Sequence, residues 1–267
     1  MQTKISGLMQ LQGRRALVTG AGGALGRVIV ETLAELGADL VLVDRAGSDI
    51  EAQVLALTQA GVVRAEAVFC DLEQQPERDA LVRQVVDGGG LDILVNNAAF
   101  VGTSGLQGWA LPFEQQTVDT WRRALEVNLT AVFDLSRQFT PALRASGDGA
   151  ILNVGSIYGV LGPNWNLYAD TAMANPAAYA ASKGGVIQLT RWLATTLAPE
   201  IRVNCICPGG IERGQPEVFV ERYEALTPMG RMATEDDFRG AFAFLTTAMS
   251  RYITGQVLMV DGGWSAW

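Results

Sequence analysis

The chain has 267 residues, 49% of them hydrophobic and 18% charged, which is typical of a globular protein with a large core. Its net charge of −8 argues against a nucleic-acid or anionic-membrane surface, and the lack of His excludes Ser-His-Asp catalysis and most zinc sites. The three cysteines have no paired metal-ligand spacing, so we expect buried, inert thiols and no metal. No run reaches the length of a membrane span or a signal peptide, which predicts a soluble cytoplasmic protein.

Apolar runs of strand length alternate with longer helical patterns from residue 15 almost to the end. The predicted strands are rich in Val, Ile and Leu without clean alternation, as in a parallel sheet covered on both faces. They span Arg15–Thr19, Asp39–Asp44, Val62–Cys70, Leu91–Asn96, Ala150–Gly155, Ile201–Ile206 and Gln256–Val260. The predicted helices lie near residues 25–37, 50–60, 76–87, 117–145, 177–197 and 235–248. This alternation predicts a doubly wound, Rossmann-type α/β sheet in one domain, residues 1–267.

A glycine-rich segment follows the first predicted strand and leads into a helix. Glycines let such a turn close and let backbone amides approach a pyrophosphate at the positive end of the helix. The candidate cofactor contacts here are Gly20, Gly22, Gly23, Ala24, Leu25 and Gly26. An ordinary strand–helix turn is the alternative interpretation.

The second predicted strand ends in Asp44, about where a carboxylate meets the ribose hydroxyls of a dinucleotide. A carboxylate there repels a 2′-phosphate, so NAD is favoured over NADP. Arg45 keeps NADP open, because a cation at that place can hold a 2′-phosphate.

Polar residues also follow the third and fourth predicted strands. Ligands bind at the carboxyl ends of strands in such sheets. We therefore expect cofactor contacts from Asp71, Leu72, Asn97, Ala98 and Ala99. Simple turn formation is the alternative, because Asn and Asp are common in turns.

Tyr179 and Lys183 stand four residues apart, and Lys183 is one of only two lysines in the chain. On a helix, positions i and i+4 share one face. A neighbouring ammonium favours phenolate over phenol, which predicts a lowered pKa for Tyr179. Such a tyrosine can donate and accept a proton in alcohol–carbonyl chemistry.

Together these motifs resemble the short-chain dehydrogenase/reductase family across nearly the whole chain. Besides the glycine-rich turn, the similar segments are Asn96 to Ala99, Pro208-Gly209, Ile253 to Gln256 and Val260 to Gly263. The resemblance implies a catalytic set of Asn128, Ser156, Tyr179 and Lys183. It also implies cofactor contacts from Tyr179, Lys183, Pro208, Gly209 and Ile211.

In such an enzyme the nicotinamide carries the hydride and the protein supplies orientation and proton transfer. The resemblance implies that Tyr179 transfers the proton and that Ser156 holds the substrate oxygen. It further implies that Lys183 lowers the pKa of Tyr179 and bonds the nicotinamide ribose, while Asn128 anchors a water that links Lys183 to solvent.

The sequence departs from the family pattern at several places. Ala24 and Ala99 replace glycines, which are small changes expected to narrow the cofactor cradle slightly. Arg213 stands where the family usually has Thr; it either turns to solvent or pairs with an anionic group of the substrate.

The interval from Ser156 to Tyr179 is 23 residues, considerably longer than is usual in the family. The inserted residues include Trp165 and Tyr168, whose rings and hydroxyl suit a polyhydroxylated ligand. A plain surface loop is the alternative. With Asn175-Pro176 and Arg213, this pattern resembles a subgroup of flagellin-modification and sialic-acid-like sugar oxidoreductases.

These features predict an NAD(H)-dependent oxidoreductase that interconverts a secondary alcohol and a ketone of a sugar derivative. A reductase of a less polar carbonyl, such as an oxoacyl or polyol substrate, is the second possibility. A cofactor-binding protein without turnover is the third. The resemblance also implies a homodimer or homotetramer, to which Phe133, Leu189 and Trp192 contribute unless they are core residues.

Overall fold

The computed structural model describes residues 4–59, 61, 63–102 and 104–267. The strands β1 to β7 span Arg15–Thr19, Asp39–Asp44, Ala65–Phe69, Ile93–Asn96, Gly149–Val154, Ile201–Pro208 and Val257–Val260. They form one parallel sheet in the order β3-β2-β1-β4-β5-β6-β7. The strand order reverses between β1 and β4, which is where such sheets open a ligand crevice. The predicted doubly wound sheet is confirmed.

The helices α1 to α9 span Ile5–Leu8, Ala24–Glu35, Ile50–Gln59, Gln75–Asp87, Val118–Leu125, Ala131–Ala145, Ala177–Leu197, Glu217–Ala225 and Arg239–Thr246. One π turn, Glu126–Thr130, joins α5 to α6. In the described part of the chain, no helix combines the length and the apolarity needed to cross a bilayer.

Both faces of the sheet are buried, which explains the continuous apolar strands. In β1, Ala16 and Val18 belong to the core under α2 and α9, whereas Leu17 belongs to the opposite core under α4, α6 and α7. The side chains of a strand alternate between faces, so each strand supplies both cores. The three cysteines are buried as well, as expected.

Several element bounds differ from the predicted ones. β3 begins at Ala65, because pairing with β2 begins there, opposite Leu40; Val62, at the predicted start, lies outside the described residues. The helix predicted to end at residue 60 is described to Gln59, and residue 60 also lies outside. β6 continues to Pro208 because β7 pairs with it up to that residue.

Two helices have no counterpart among the predicted ones. They are the short α1 and α8, the latter starting after Pro216. α8 buries Phe219 and Tyr223, a spacing of i and i+4 that places both on one face. That face closes one side of the cleft described below.

Candidate active site

A cleft of about 930 Å³ opens at the carboxyl ends of the strands. The loops after β1, β2, β3, β4, β5 and β6 all contribute to its walls. Most of the predicted site residues line it: Gly20, Gly22, Gly23, Ala24, Leu25, Gly26, Asp44, Arg45, Asp71, Leu72, Asn97, Ala98, Ala99, Ser156, Tyr168, Tyr179, Lys183, Pro208, Gly209, Ile211 and Arg213. Residues scattered over the sequence therefore meet in one place.

The glycine-rich turn is packed too tightly for side chains at two positions. A Cβ at Gly26 would lie 2.0 Å from the carbonyl oxygen of Gly20, and one at Gly20 would lie 2.8 Å from the Cα of Ala98. Gly20 also has φ of +66°, a conformation that glycine adopts without strain. Ala24, in contrast, is exposed at the start of α2, so its methyl group displaces no neighbouring residue.

The carboxylate of Asp44 lies against this turn. Its Oδ2 accepts a hydrogen bond from the Gly22 amide at 2.8 Å, and its Oδ1 accepts one from the Arg45 amide at 2.7 Å. The amino end of α2 and this carboxylate lie side by side, as a dinucleotide's pyrophosphate and ribose require. The residues present therefore fit a nicotinamide dinucleotide.

The guanidinium of Arg45 lies over the ring of Phe100, a residue of the loop after β4. Its guanidinium carbon lies 5.8 Å from the centroid of the Phe100 ring, and that of Arg123 lies at the same distance. Arg123 is also paired with Glu73, with Nε–Oε1 of 2.6 Å.

The residues after β3 and β4 line the cleft and also form hydrogen bonds that stabilise the loops around it. Asn97 Nδ2 donates to the carbonyls of Thr19 and Gly20 at 3.0 and 3.1 Å, which ties β4 to the glycine-rich turn. Asp71 Oδ1 accepts from the Glu73 amide at 3.0 Å, as turn-forming aspartates do. Both of the interpretations left open for these residues thus have a structural basis.

Lys183 and Ser156 are brought together by close packing of α7 on the turn after β5. Lys183 Nζ donates to the carbonyl oxygen of Val154 at 2.7 Å. A Cβ at Gly159 would lie 2.7 Å from the carbonyl carbon of Lys183, so this turn needs a glycine to reach the helix. Lys183 Nζ lies 5.8 Å from the centroid of the Tyr179 ring.

The ionisation of Tyr179 differs from the prediction made from its spacing to Lys183. Burial raises the pKa of Tyr179; a hydrogen bond from Ser156 and the charge of Arg213 oppose this only in part. Burial also lowers the pKa of Lys183 to about 8. The predicted lowering of the Tyr179 pKa is therefore absent in the protein alone, because burial of the phenol outweighs the lowering by Ser156 and Arg213.

Asn128 lies inside the protein, behind the cleft. It stands in the π turn, and its Oδ1 accepts from the Phe100 amide at 2.7 Å. Its Nδ2 donates to the Phe100 carbonyl and to Ser182 Oγ, both at 3.1 Å. The side chain thus joins the loop after β4 to α7, and its predicted role of anchoring a water stays a prediction.

The inserted loop packs on α8. Leu167 is buried among Phe219, Tyr223 and Met232, and the Tyr168 ring meets Phe219 edge-on at 5.5 Å. Trp165, predicted to contact the substrate, is 57% exposed and lines an adjacent cavity of about 740 Å³ that also borders on Tyr168.

Arg213 lies on the cleft wall but is not free. Its Nε is 2.7 Å from Oε1 of Glu235, and its side chain is 43% exposed. Its partial exposure agrees with the first possibility, its pairing with Glu235 was not predicted, and its pairing with an anionic group of the substrate stays a prediction.

Several polar residues of the cleft were not identified from the sequence, among them Tyr158, Tyr223 and Asn175. Tyr158 forms a 2.6 Å hydroxyl–hydroxyl hydrogen bond with Tyr168. Tyr223 Oη accepts from the Gly210 amide at 2.6 Å, and Asn175 is 7% exposed. Two signals were available: Tyr158 is two residues from Ser156, and Asn175 precedes a proline just before the Tyr179 helix.

Comparison with known proteins identifies the family. A family model described as enoyl-(acyl carrier protein) reductase matches residues 20–265. A galactitol 2-dehydrogenase from Rhizobium johnstonii is 35% identical over 266 residues, covering 97% of each chain. It is not a flagellin or sialic-acid enzyme, so the narrower resemblance to that subgroup stays a prediction.

Solved structures agree with this. A Beutenbergia cavernae protein assigned as an NAD(P)-dependent gluconate 5-dehydrogenase, with NADP at low occupancy, is 34% identical with a TM-score of 0.86, covering 98% of this chain and 100% of that one. A Leptospira borgpetersenii short-chain dehydrogenase with bound NAD+ is 32% identical with a TM-score of 0.85, covering 99% and 97%. The chain belongs to the short-chain dehydrogenase/reductase family and is an NAD(P)-dependent oxidoreductase acting on CH–OH groups.

Proposed function

We propose that the protein is an NAD(H)-dependent dehydrogenase that interconverts a secondary alcohol and a ketone on a sugar or polyol, with Tyr179 as general acid and base. The observation that carries this proposal is that Ser156, Tyr179 and Lys183 line the same cleft as the glycine-rich turn and Asp44. Proton-transfer groups and a dinucleotide cradle thus share one space.

The cofactor, when bound, supplies or accepts the hydride. Ser156 holds the substrate oxygen by its hydroxyl, and Tyr179 Oη donates the proton to that oxygen in reduction or accepts it in oxidation. Because burial raises the pKa of Tyr179, the phenol keeps its proton at neutral pH, the form needed for reduction. Lys183, held by the Val154 carbonyl, would hold the ribose of a bound cofactor and supply positive charge there.

The choice of NAD over NADP rests on Asp44. Its carboxylate touches the Gly22 amide, where an added phosphate would meet negative charge. Arg45 supports the opposite choice, but its guanidinium lies over Phe100 in the protein alone. The two related structures bind one cofactor each, NADP and NAD+.

A polyhydroxylated substrate is supported by the polar groups of the cleft and by the 35% identical galactitol 2-dehydrogenase. Tyr158, Tyr168, Tyr223 and Asn175 all line the cleft on the side of the inserted loop. Each carries a hydrogen-bonding group at the end of an otherwise apolar wall. A less polar carbonyl substrate would offer no donor to Asn175 Oδ1, which accepts no hydrogen bond from the described residues.

The test measures turnover of a panel of polyols, sugar acids and simple ketones. The change in NADH absorbance reports the reaction. Tyr179→Phe keeps the ring and removes the acid, so we expect turnover to fall by about 100-fold or more. Tyr252→Phe, at a fully exposed tyrosine, is the matched control and should behave as wild type. Full turnover by Tyr179→Phe would rule out the proposed proton transfer.

We also propose that the protein forms a homodimer or homotetramer through α6 and α7. Phe133 and Trp192 are 44% and 57% exposed, so they are surface residues, whereas Leu189 is partly buried against the core. Exposed aromatic side chains on adjacent helices favour association. Light scattering after size exclusion should give a multimer that Trp192→Glu converts to monomers; a monomeric wild type would contradict it.

A further inference from the structure

The side chain of Asn175 is buried at the cleft with an unsatisfied acceptor. The residue is 7% exposed, and in the described part of the chain its Oδ1 accepts no hydrogen bond. A buried polar atom without a partner costs about 1–3 kcal/mol. Such an atom beside a binding cleft marks a place where a ligand donor can restore the missing bond.

The neighbours of Asn175 add a donor to this acceptor. Tyr158 and Tyr168 share one hydrogen bond of 2.6 Å between their hydroxyl groups, and the Asn175 amide lies against both. Two phenols carry two protons, and the shared bond uses one of them. The second phenolic proton remains available to a ligand. The three side chains thus offer one acceptor and one donor, the complement of an alcohol group.

The position of this trio suits a substrate. Tyr158 follows Ser156 by two residues, and Asn175 precedes Tyr179 by four, so the trio flanks both groups that face the reacting oxygen. Asn175 also precedes Pro176, which restricts its backbone to an extended form and keeps it out of α7. All three residues line the cleft together with Ser156 and Tyr179.

The inserted loop holds the trio in place. Thr171 Oγ1 donates to the Tyr168 carbonyl at 2.8 Å, and Arg222 of α8 contacts Asp170 at 3.2 Å. The ring of Tyr168 rests on Phe219. A binding site held by packing and hydrogen bonds is preorganised, so little ordering is needed when a ligand arrives.

We propose that Tyr158, Tyr168 and Asn175 form a hydroxyl-binding subsite that selects substrates with a second hydroxyl group beside the reacting one. That hydroxyl donates to Asn175 Oδ1 and accepts from the free phenolic proton. The ligand class is an acyclic polyol or a sugar. The inference rests on the proposed function and identifies the second hydroxyl group as the substrate feature that this subsite binds.

Binding separates this inference from catalysis. Galactitol, sorbitol and mannitol are titrated by calorimetry into NAD-saturated Tyr179→Phe protein, which lacks the phenolic proton donor. At least one polyol should bind, and adding Asn175→Leu or Tyr158→Phe should weaken it by about 10-fold to 100-fold. Adding Asn166→Leu, at an exposed site of the same loop, should change nothing.

Steady-state turnover provides a second test of the subsite. The ratio of kcat/KM for the bound polyol to that for cyclohexanol should fall at least about tenfold in Asn175→Leu and in Tyr158→Phe, and stay constant in Asn166→Leu and Tyr252→Phe. A cooperative thermal unfolding transition shows that each variant is folded. If Asn175→Leu does not fold, Tyr158→Phe still tests the subsite, because it keeps the aromatic ring and removes only the hydroxyl group.

The outcomes are distinct. Polyol binding that depends on the trio, without turnover by wild type, would overturn the proposed function and support the subsite. Turnover of alcohols without polyol binding would overturn the subsite and leave the oxidoreductase. Polyol binding that neither variant weakens would likewise overturn the subsite.

Discussion

Lys183 and Val154 are joined by a hydrogen bond of 2.7 Å from Nζ to the carbonyl oxygen at the end of β5. The bond couples α7, which carries Tyr179, to the strand that leads into Ser156. Because the ammonium is desolvated there, its pKa falls to about 8. The contact thus fixes Lys183 at the end of β5, where burial of the ammonium lowers its pKa.

Gly159 should tolerate no side chain. A Cβ there would lie 2.7 Å from the carbonyl carbon of Lys183 and 2.8 Å from Ile187 Cδ1, so Gly159→Ala must push the turn away from α7. We expect a loss of about 1–3 kcal/mol in the free energy of unfolding, measured in urea, and a lower kcat. Gly162→Ala is the control, because its Cβ would meet nothing within 4 Å. Equal stabilities of the two variants would contradict the close packing.

Lys183 should make stability depend on alkaline pH. The pKa of Lys183 is about 8 in the folded protein against 10.5 for a solvent-exposed lysine, so the unfolded chain holds more protons between these two pH values. Stability from this site therefore rises with pH through that window. Lys183→Met removes the effect, so the wild type should gain stability relative to the variant from pH 7 to 9.5 in urea titrations. A constant difference would show that the lysine is not desolvated.

Asp44 should govern the choice of cofactor. Asp44→Asn removes the negative charge beside the Gly22 amide, so we expect NADH to bind more weakly and NADPH more tightly, each by about tenfold. Fluorescence titration of both cofactors measures this. Asp39→Asn, at the opposite end of β2 beside Arg64, is the matched control. Tighter NADPH than NADH binding by wild type would transfer the decisive role to Arg45.

Arg222 should hold the inserted loop in position. It donates to the Ala169 carbonyl and lies 3.2 Å from an Asp170 carboxylate oxygen, so Arg222→Ala releases the loop from α8. We expect KM for the alcohol to rise by up to about tenfold with cofactor affinity unchanged. Steady-state kinetics at saturating NAD measures it, with Arg64→Ala as an exposed control. A loss of cofactor affinity instead would show that the loop supports the cofactor half of the cleft.

Much of the site could be predicted because its elements are local. The glycine-rich turn after β1, Asp44 at the end of β2 and the i, i+4 pair Tyr179–Lys183 in α7 each show a short local pattern, and the parallel sheet then brings them to one edge. Trp165 shows where this stops. Its type suits a sugar, but the packing of Leu167 on α8 turns it toward the adjacent cavity.

The sequence by itself determined the parallel sheet and the residues proposed to bind the cofactor and to transfer the proton. These depend on backbone periodicity and on spacings of a few residues. Only the tertiary structure decided that burial raises the pKa of Tyr179 and that Asn175 meets Tyr158 and Tyr168. Desolvation and hydrogen bonding between distant residues depend on how the loop after β5 folds onto α8, and no local pattern encodes that packing.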